Sequence, residues 1–315
     1  MKGSSAARVV SSVIAGAVCL SSLGVMLWRM RYGIDFTDES FYVALPARFV
    51  LGDRPFVDER NIAQNAGILV YPFVFLYNAI AGFKGLVFFL RVLQVFFYGL
   101  VGWTLHDLAR TRLSRPTAML VGAACPLFLP YGLPGLSYNT LAAGLLAIGL
   151  FLAARSILLC DVPTAGALGS TLAPAARTST RPPSMTEERA GSRERVLAVL
   201  RDRLFWAGFC HAAAAFAYPT VVVAVLASTL AVVALTLPRY RCALLYVAGG
   251  AAFTAIVAVL LARAGVHEVK ETLRFLNGDG AVSSPFTLAN AESKWTRFVG
   301  YHPELWKVGL IIAVL

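Results

Sequence analysis

Residues 9–28, VVSSVIAGAVCLSSLGVMLW, decide the fold. They carry no charge, and as a helix rising 1.5 Å per residue they cover about 30 Å, the thickness of a bilayer's hydrocarbon core. Lys2 and Arg8 precede this run as in a secretory signal. It closes on Trp28-Arg29-Met30-Arg31 without a small-residue cleavage site, so it reads as a retained first span. The rest agrees: of 315 residues 58% are hydrophobic and 14% charged, with a mean hydropathy of +0.69. A soluble core cannot absorb that much apolar surface. The chain reads as an all-α polytopic membrane protein.

The net charge of +11 would suggest nucleic acid in a soluble domain. Here the basic residues gather in particular loops, which is how inserted chains set orientation, and no nucleic-acid partner is implied. Further spans are expected at Leu86 to Leu105, Ala118 to Pro130, Thr140 to Leu159, Leu204 to Ala217, Pro219 to Leu237, Ala243 to Leu261 and from near Leu305, about eight in all. The expected layout is one transmembrane domain over 1–315. A first span (1–31) leads to an acidic outer loop with interfacial helices (32–85). Spans two to four (86–159), a basic cytoplasmic linker (160–203) and spans five to eight (204–315) follow. The last apolar run, Val308 to Leu315, is still open where the sequence stops, as expected of the front part of a longer polytopic design or of an atypically short member. With a cytoplasmic N-terminus, Arg110, Arg112, Arg115, Arg239 and Arg241 all fall inside and the acidic loop lies on the extracytoplasmic face. Counting Gly67 to Ala81 as a span would invert this, so that segment is read as interfacial or re-entrant.

Asp35, Asp38, Glu39, Asp53, Asp58 and Glu59 fall in the first outer loop, six of the chain's 17 acids. Thr37 is positioned as an N-cap, Phe41, Leu45 and Phe49 recur at i, i+4 and i+8, and Gly52 ends the run, which predicts an amphipathic surface helix. Asp38 and Tyr42 share one face of it, while Glu39 points about 100° away. Acids in a helix's first turn also simply meet the macrodipole, contributing roughly 0.3–1 kcal/mol each, and this structural reading stands beside the functional one. The second group, Asp53-Arg54-Pro55-Phe56-Val57-Asp58-Glu59-Arg60, is equally a loop of compensating charges or half of a shared pocket.

The sequence Asp38-Glu39-Ser40-Phe41-Tyr42, followed by Gly52-Asp53-Arg54-Pro55-Phe56-Val57-Asp58, Tyr71-Pro72-Phe73 and Leu90-Arg91-Val92, resembles the N-terminal half of the GT-C superfamily of membrane glycosyltransferases. Its nearest likeness is to the protein-mannosyltransferase and aminoarabinose-transferase-like branch. The resemblance covers residues 33–105 in motif detail. It implies a GT-C-like helical bundle that takes a sugar from a polyprenyl-phosphate donor, with inversion, to a glycan, lipid or protein hydroxyl. It makes Asp38 the general base, with Glu39 and Asp58 supporting it. A base of this kind contributes roughly 10²–10⁴ in rate. Arg91, with Arg54 or Arg60 as loop alternatives, would meet the donor phosphate. Gln64-Asn65-Ala66-Gly67 stands where relatives carry a basic residue before Pro-Pro, and Tyr218 where they often have Lys.

Tyr138 and Asn139, after the turn-rich Tyr131 to Ser137, are candidates to hydrogen-bond a sugar beside Tyr42, or an interfacial turn. His211, alone in an apolar run, reads as a satisfied core histidine ahead of a proton relay. His267, His302, Glu268 and Glu271 lack ligand spacing, no metal site is assigned, and no resident cofactor is expected beyond the lipid-linked sugar as substrate. A transporter or flippase of lipid-linked sugar and a noncatalytic scaffold are the alternatives.

Overall fold

The computed structural model describes residues 5–32, 38–59, 61, 63–127, 135–160 and 202–277, and the side chains of 5–8, 38, 160 and 273–277 lie outside the description. The expected last span, most of the linker, Asp35, Thr37, Arg60 and the 128–134 turn therefore fall outside the described residues. All the regular structure described is helical. The elements are α1 (Ser5–Arg29), α2 (Asp38–Val50), α3 (Gln64–Ala81), α4 (Leu86–Ala109), α5 (Arg115–Leu127), α6 (Tyr138–Cys160), α7 (Arg203–Ala217), α8 (Val222–Thr236), α9 (Tyr240–Ala264) and α10 (Val266–Asn277).

Against about eight spans expected of the whole chain, four stretches among the described residues are long and apolar enough to cross a membrane: Val9–Arg29, Leu86–Ala109, Tyr138–Leu159 and the 46-residue Pro219–Ala264. At the expected second and fourth later positions, α5 has 13 described residues, up to Leu127, and α7 has 15. At 1.5 Å per residue α7 reaches only about 22 Å. The fourth stretch folds back on itself at the 3₁₀ turn Leu237–Arg239, where Arg239 leaves helical geometry (φ −118°, ψ 70°). Thr229 Oγ1 lies 2.9 Å from Tyr246 OH, although 17 residues of straight helix would hold them about 25 Å apart. Around the bundle large apolar side chains face outward, with Leu230 70% and Phe96 69% exposed, as lipid-facing residues are.

Two close approaches fix the packing. A Cβ at Gly102 of α4 would land on the Gly122 carbonyl of α5, and one at Gly208 of α7 would land on the Tyr246 carbonyl of α9. Association inside lipid lacks a hydrophobic drive, so small residues that let backbones touch take its place. A buried hydrogen-bond chain adds to the second contact: His211 Nδ1 pairs with Tyr246 OH, which also meets Thr229.

The helix ends segregate by charge. Arg91, near the start of α4, reaches the carbonyls that follow α1, while Asp107, 16 residues later and thus about 24 Å away, pairs with Arg155 of α6 and Arg203 of α7. The turn bearing Arg110 and Arg112, the start of α5 at Arg115 and the α8–α9 turn with Arg239 share the Asp107 end. The acidic segment 38–59 occupies the other.

Candidate functional site

The acidic end is built on α2. Its C-terminus is closed by a paired turn in which Asp53 N–H donates to Arg48 O (3.0 Å) and Gly52 N–H to Phe49 O (3.3 Å), with Gly52 at φ +113°. This is the Schellman arrangement, and it uses Gly because a Cβ would be strained there. The expected apolar stripe is turned inward: Leu45 and Phe49 are buried, both within 3.2 Å of where a Cβ on Gly67 of α3 would lie. In turn α3 approaches the first turns of α4 at two points, since Tyr77 stacks on Phe89 (4.3 Å) while Val70, seven residues earlier, lines a pocket with Leu90. It therefore crosses α4 rather than running beside it as a spanning hairpin would.

Glu39, the second residue of α2, turns into the bundle. Its carboxylate takes Arg91 Nε and Nη2 in a bidentate pair at 2.5 Å, and both side chains are 4% exposed. Arg91 Nη1 donates to Met30 O (2.9 Å) and Tyr32 O (3.3 Å). One guanidinium thus joins the end of α1, the start of α2 and the second turn of α4. Such a fork matches a carboxylate geometrically, and its fixed planarity offsets part of the cost of burying two charges. Arg91 and Glu39, read separately from sequence as phosphate ligand and base support, are here each other's partners. Asp38 opens α2 beside Glu39.

The other acids are engaged within their loop. Arg48 bridges Asp53 (2.6 Å) and Glu59 (2.8 Å), and the Asp53 carboxylate raises the Arg48 proton affinity. Asp58 accepts the backbone N–H of Arg54 at 2.7 Å, which holds its carboxyl below the usual carboxylate range. Arg54, 72% exposed, stands 3.5 Å from the same carboxylate. Phe56 sits buried at φ +66°, with its N–H on Gln64 Oε1 (2.8 Å) and its carbonyl taking Thr272 Oγ1 of α10 (3.2 Å). Bulky residues rarely adopt that region, and both neighbouring helices hold this one there.

Beside the Glu39–Arg91 pair, α6 begins with Ser137 and Thr140 exchanging side-chain-to-backbone hydrogen bonds (2.8 and 3.2 Å), a reciprocal N-terminal cap. The cap aims Tyr138 so that its ring meets Tyr42 of α2 at 5.6 Å and Tyr218, at the α7 C-terminus, at 4.6 Å. Two of the sequence candidates are thus in contact, with Asn139 half-buried one residue on. Between α2, Val70, Leu90 and Gly135–Leu136 lies a pocket bounded by Glu39 and Tyr42, with room for about one water-sized molecule. Asn65 Nδ2 donates to Phe216 O (2.8 Å), securing the Tyr218 corner to α3. Arg48, Gln64 and Thr272 were not among the sequence candidates. Only Arg48 left a signal, an Arg five residues before an Asp across a helix-ending Gly. Among the described residues no group of three His, Cys, Asp or Glu is placed to hold a metal ion. No protein family, curated protein or solved structure matches the chain.

Proposed function

We propose that the chain is a membrane glycosyltransferase of GT-C type, moving a sugar from a polyprenyl-phosphate donor to an acceptor hydroxyl at the extracytoplasmic face. The observation that carries this reading is the seating of α2: the buried Glu39–Arg91 fork fixes the start of the helix, which Asp38 opens, and Tyr42 one turn on meets Tyr138, which in turn meets Tyr218. Asp38 is the general base, taking the acceptor proton as the glycosidic bond forms, and tyrosine rings and hydroxyls suit a sugar's mixed apolar and polar faces. Glu39 acts by positioning α2, and Asp58 by shaping the loop that carries Arg54.

Charge on the departing lipid phosphate calls for a cation. Arg91 meets it only if the phosphate displaces Glu39, so Arg54 and Arg60 of the loop take that role in the resting arrangement. Because the pocket holds about one water, a sugar enters only as α2 draws back from Gly135 and Leu136. The crossing of α3 over α4 supports the interfacial reading of 67–81, and the basic Asp107 end is the cytoplasmic one by the positive-inside rule.

A noncatalytic scaffold is the second reading. It is favoured by the engagement of Glu39, Asp53, Asp58 and Glu59 with arginines, which a purely structural brace would also give. Complementation of a strain lacking the chain separates the two, using wild type and Asp38→Asn at matched membrane levels. Surface glycans and polyprenyl-phosphate sugars are read by mass spectrometry. Loss of glycan with build-up of the lipid donor is the expected result. Full complementation by Asp38→Asn overturns the catalytic reading.

A further inference from the structure

We propose that α3 is submerged beneath the headgroups at the acidic end of the bundle, with lipid acyl chains covering its outer face. The helix is apolar on every side. Ala66, Gly67, Val70 and Val74 turn inward and are buried, while Phe73, Phe75, Leu76 and Ile80 stand outward, Leu76 61% and Ile80 79% exposed. No charged residue occurs from Asn61 to Phe83. A helix lying on a membrane surface keeps a polar face toward water, and one that is apolar all round is enclosed by protein or by hydrocarbon. The same end of the bundle holds the contrast: α10 meets the acidic segment where Thr272 donates to Phe56 O, and it carries His267, Glu268, Lys270 and Glu271.

The lengths of the neighbouring helices set the depth. The ion cluster of Asp107, Arg155 and Arg203 marks one edge of the hydrocarbon. Leu86 precedes Asp107 by 21 residues along α4, or about 31 Å, so it stands with the exposed Lys84 at the other edge. Phe216 follows Arg203 by 13 residues along α7, or about 20 Å. The Phe216 carbonyl takes Asn65 Nδ2 at 2.8 Å, which ties the first turn of α3 roughly 10 Å below the level of Leu86. From there α3 climbs to Tyr77, stacked on Phe89, and ends at Ala81 before the short turn into α4. Exposed Phe83, Val87 and Phe88 lead from α3 onto α4, where Phe96 and Trp103 face lipid. The outer face of α3 thus continues the lipid-facing surface of the bundle. On this side the acidic end opens to the leaflet, and a lipid-borne reactant can arrive there without crossing water.

The proposal rests on the membrane placement of the bundle and is independent of sugar transfer. Its test puts a nitroxide amino acid, by nonsense suppression in the full chain, singly at Phe73, Leu76 and Ile80, with Phe96 and Lys270 as references. The labelled chains are studied in liposomes of phosphatidylcholine and phosphatidylglycerol. Relaxation by oxygen, which concentrates among acyl chains, is compared with relaxation by a water-soluble nickel chelate. Leu76 and Ile80 are expected to match Phe96, with oxygen dominant, while Lys270 shows the reverse. The oxygen advantage is expected to shrink from Phe73 through Leu76 to Ile80 as α3 climbs toward the headgroups. Leu76 and Ile80 matching Lys270 would put the helix in water, and low access to both reagents would put it under protein, from this chain or a second copy; either result overturns the proposal. A Phe96 label relaxed mainly by the chelate would remove the whole bundle from the bilayer, and the proposal with it.

Discussion

Glu39→Ala removes one half of a buried charge pair and takes the bidentate carboxylate from the Arg91 guanidinium, which is 4% exposed and also meets two backbone carbonyls. Breaking a buried pair from one side costs about 3–5 kcal/mol, because the survivor's desolvation is no longer offset. At roughly 1.4 kcal/mol per tenfold, that shifts the folded-to-unfolded ratio by about 10²–10⁴. Glu39→Gln retains shape and one acceptor and falls at the lower end. Glu39→Gln combined with Arg91→Gln removes both charges and their burial cost together, so the double change is expected to be milder than the sum of the singles by roughly 1–3 kcal/mol. The assay is a heat series in detergent, reading the monodisperse fraction by size exclusion for all four chains of the cycle. Single losses below about 1 kcal/mol that simply add would be the behaviour of an exposed pair, and would refute the account of this fork as the element that seats α2.

At the α7–α9 contact, Gly208→Leu forces the helices apart and is expected to abolish the monodisperse fraction. Gly250→Ala, whose added Cβ meets Gly208 O at an ordinary 3.6 Å, is expected to be tolerated. Tyr246→Phe strips a partner from both His211 and Thr229 and is expected to cost about 1–3 kcal/mol in the same heat series. For Asp58, the folded carboxyl titrates below its unfolded value, so the unfolded loop binds more protons as pH falls. The stabilisation this group gives the 54–58 turn is complete above about pH 4 to 5 and lost as pH drops through the lower folded value. Protection of the Arg54 amide, compared at each pH with the Asp58→Asn chain, is expected to converge on the variant's level at acid pH and to exceed it at neutral pH. No difference at neutral pH would dismiss the tether.

The long apolar elements were legible because length and uninterrupted hydropathy are local properties. Residues 9–28 became α1, Leu86 to Leu105 became the body of α4, and Thr140 to Leu159 that of α6. The end of α2 was equally legible, since a Gly after an apolar periodic run has one common use. The short helix was not: α7 looks like a span by composition, but it is bounded by the Asp202 cap on Leu204 N–H at its start and by extended Tyr218 at its end. The pairing of Glu39 with Arg91 joins positions 52 apart and leaves no periodic trace, so sequence reading gave the two residues separate roles. Likewise Gly102, Gly122, Gly208 and Gly249 are indistinguishable from other glycines in apolar runs until the helices are seen in contact. The tyrosine contact was half legible, since Tyr42 and Tyr138 were singled out for the same groove. Tyr218 was noticed only as a departure from a lysine.

The neighbour that fits α7 is not the next helix in the chain but the one after it. Its Gly208 contact and the hydroxyl partner of its histidine both wait for α9, with Tyr246 lying 35 residues downstream of His211. At a synthesis rate of roughly 5–20 residues per second, about 2–7 s pass between the emergence of the two partners. During that interval α7 has only one side of its groove, the α6 face where Gly149 makes room for His211. The tight Leu237–Arg239 turn carries almost no polar chain between α8 and α9, so the pair is suited to enter the bilayer together, closing over α7 in one step. Order of assembly is thereby written into which glycines touch: α4 and α5 can join as soon as both exist, whereas the second half of the bundle completes only when its hairpin arrives.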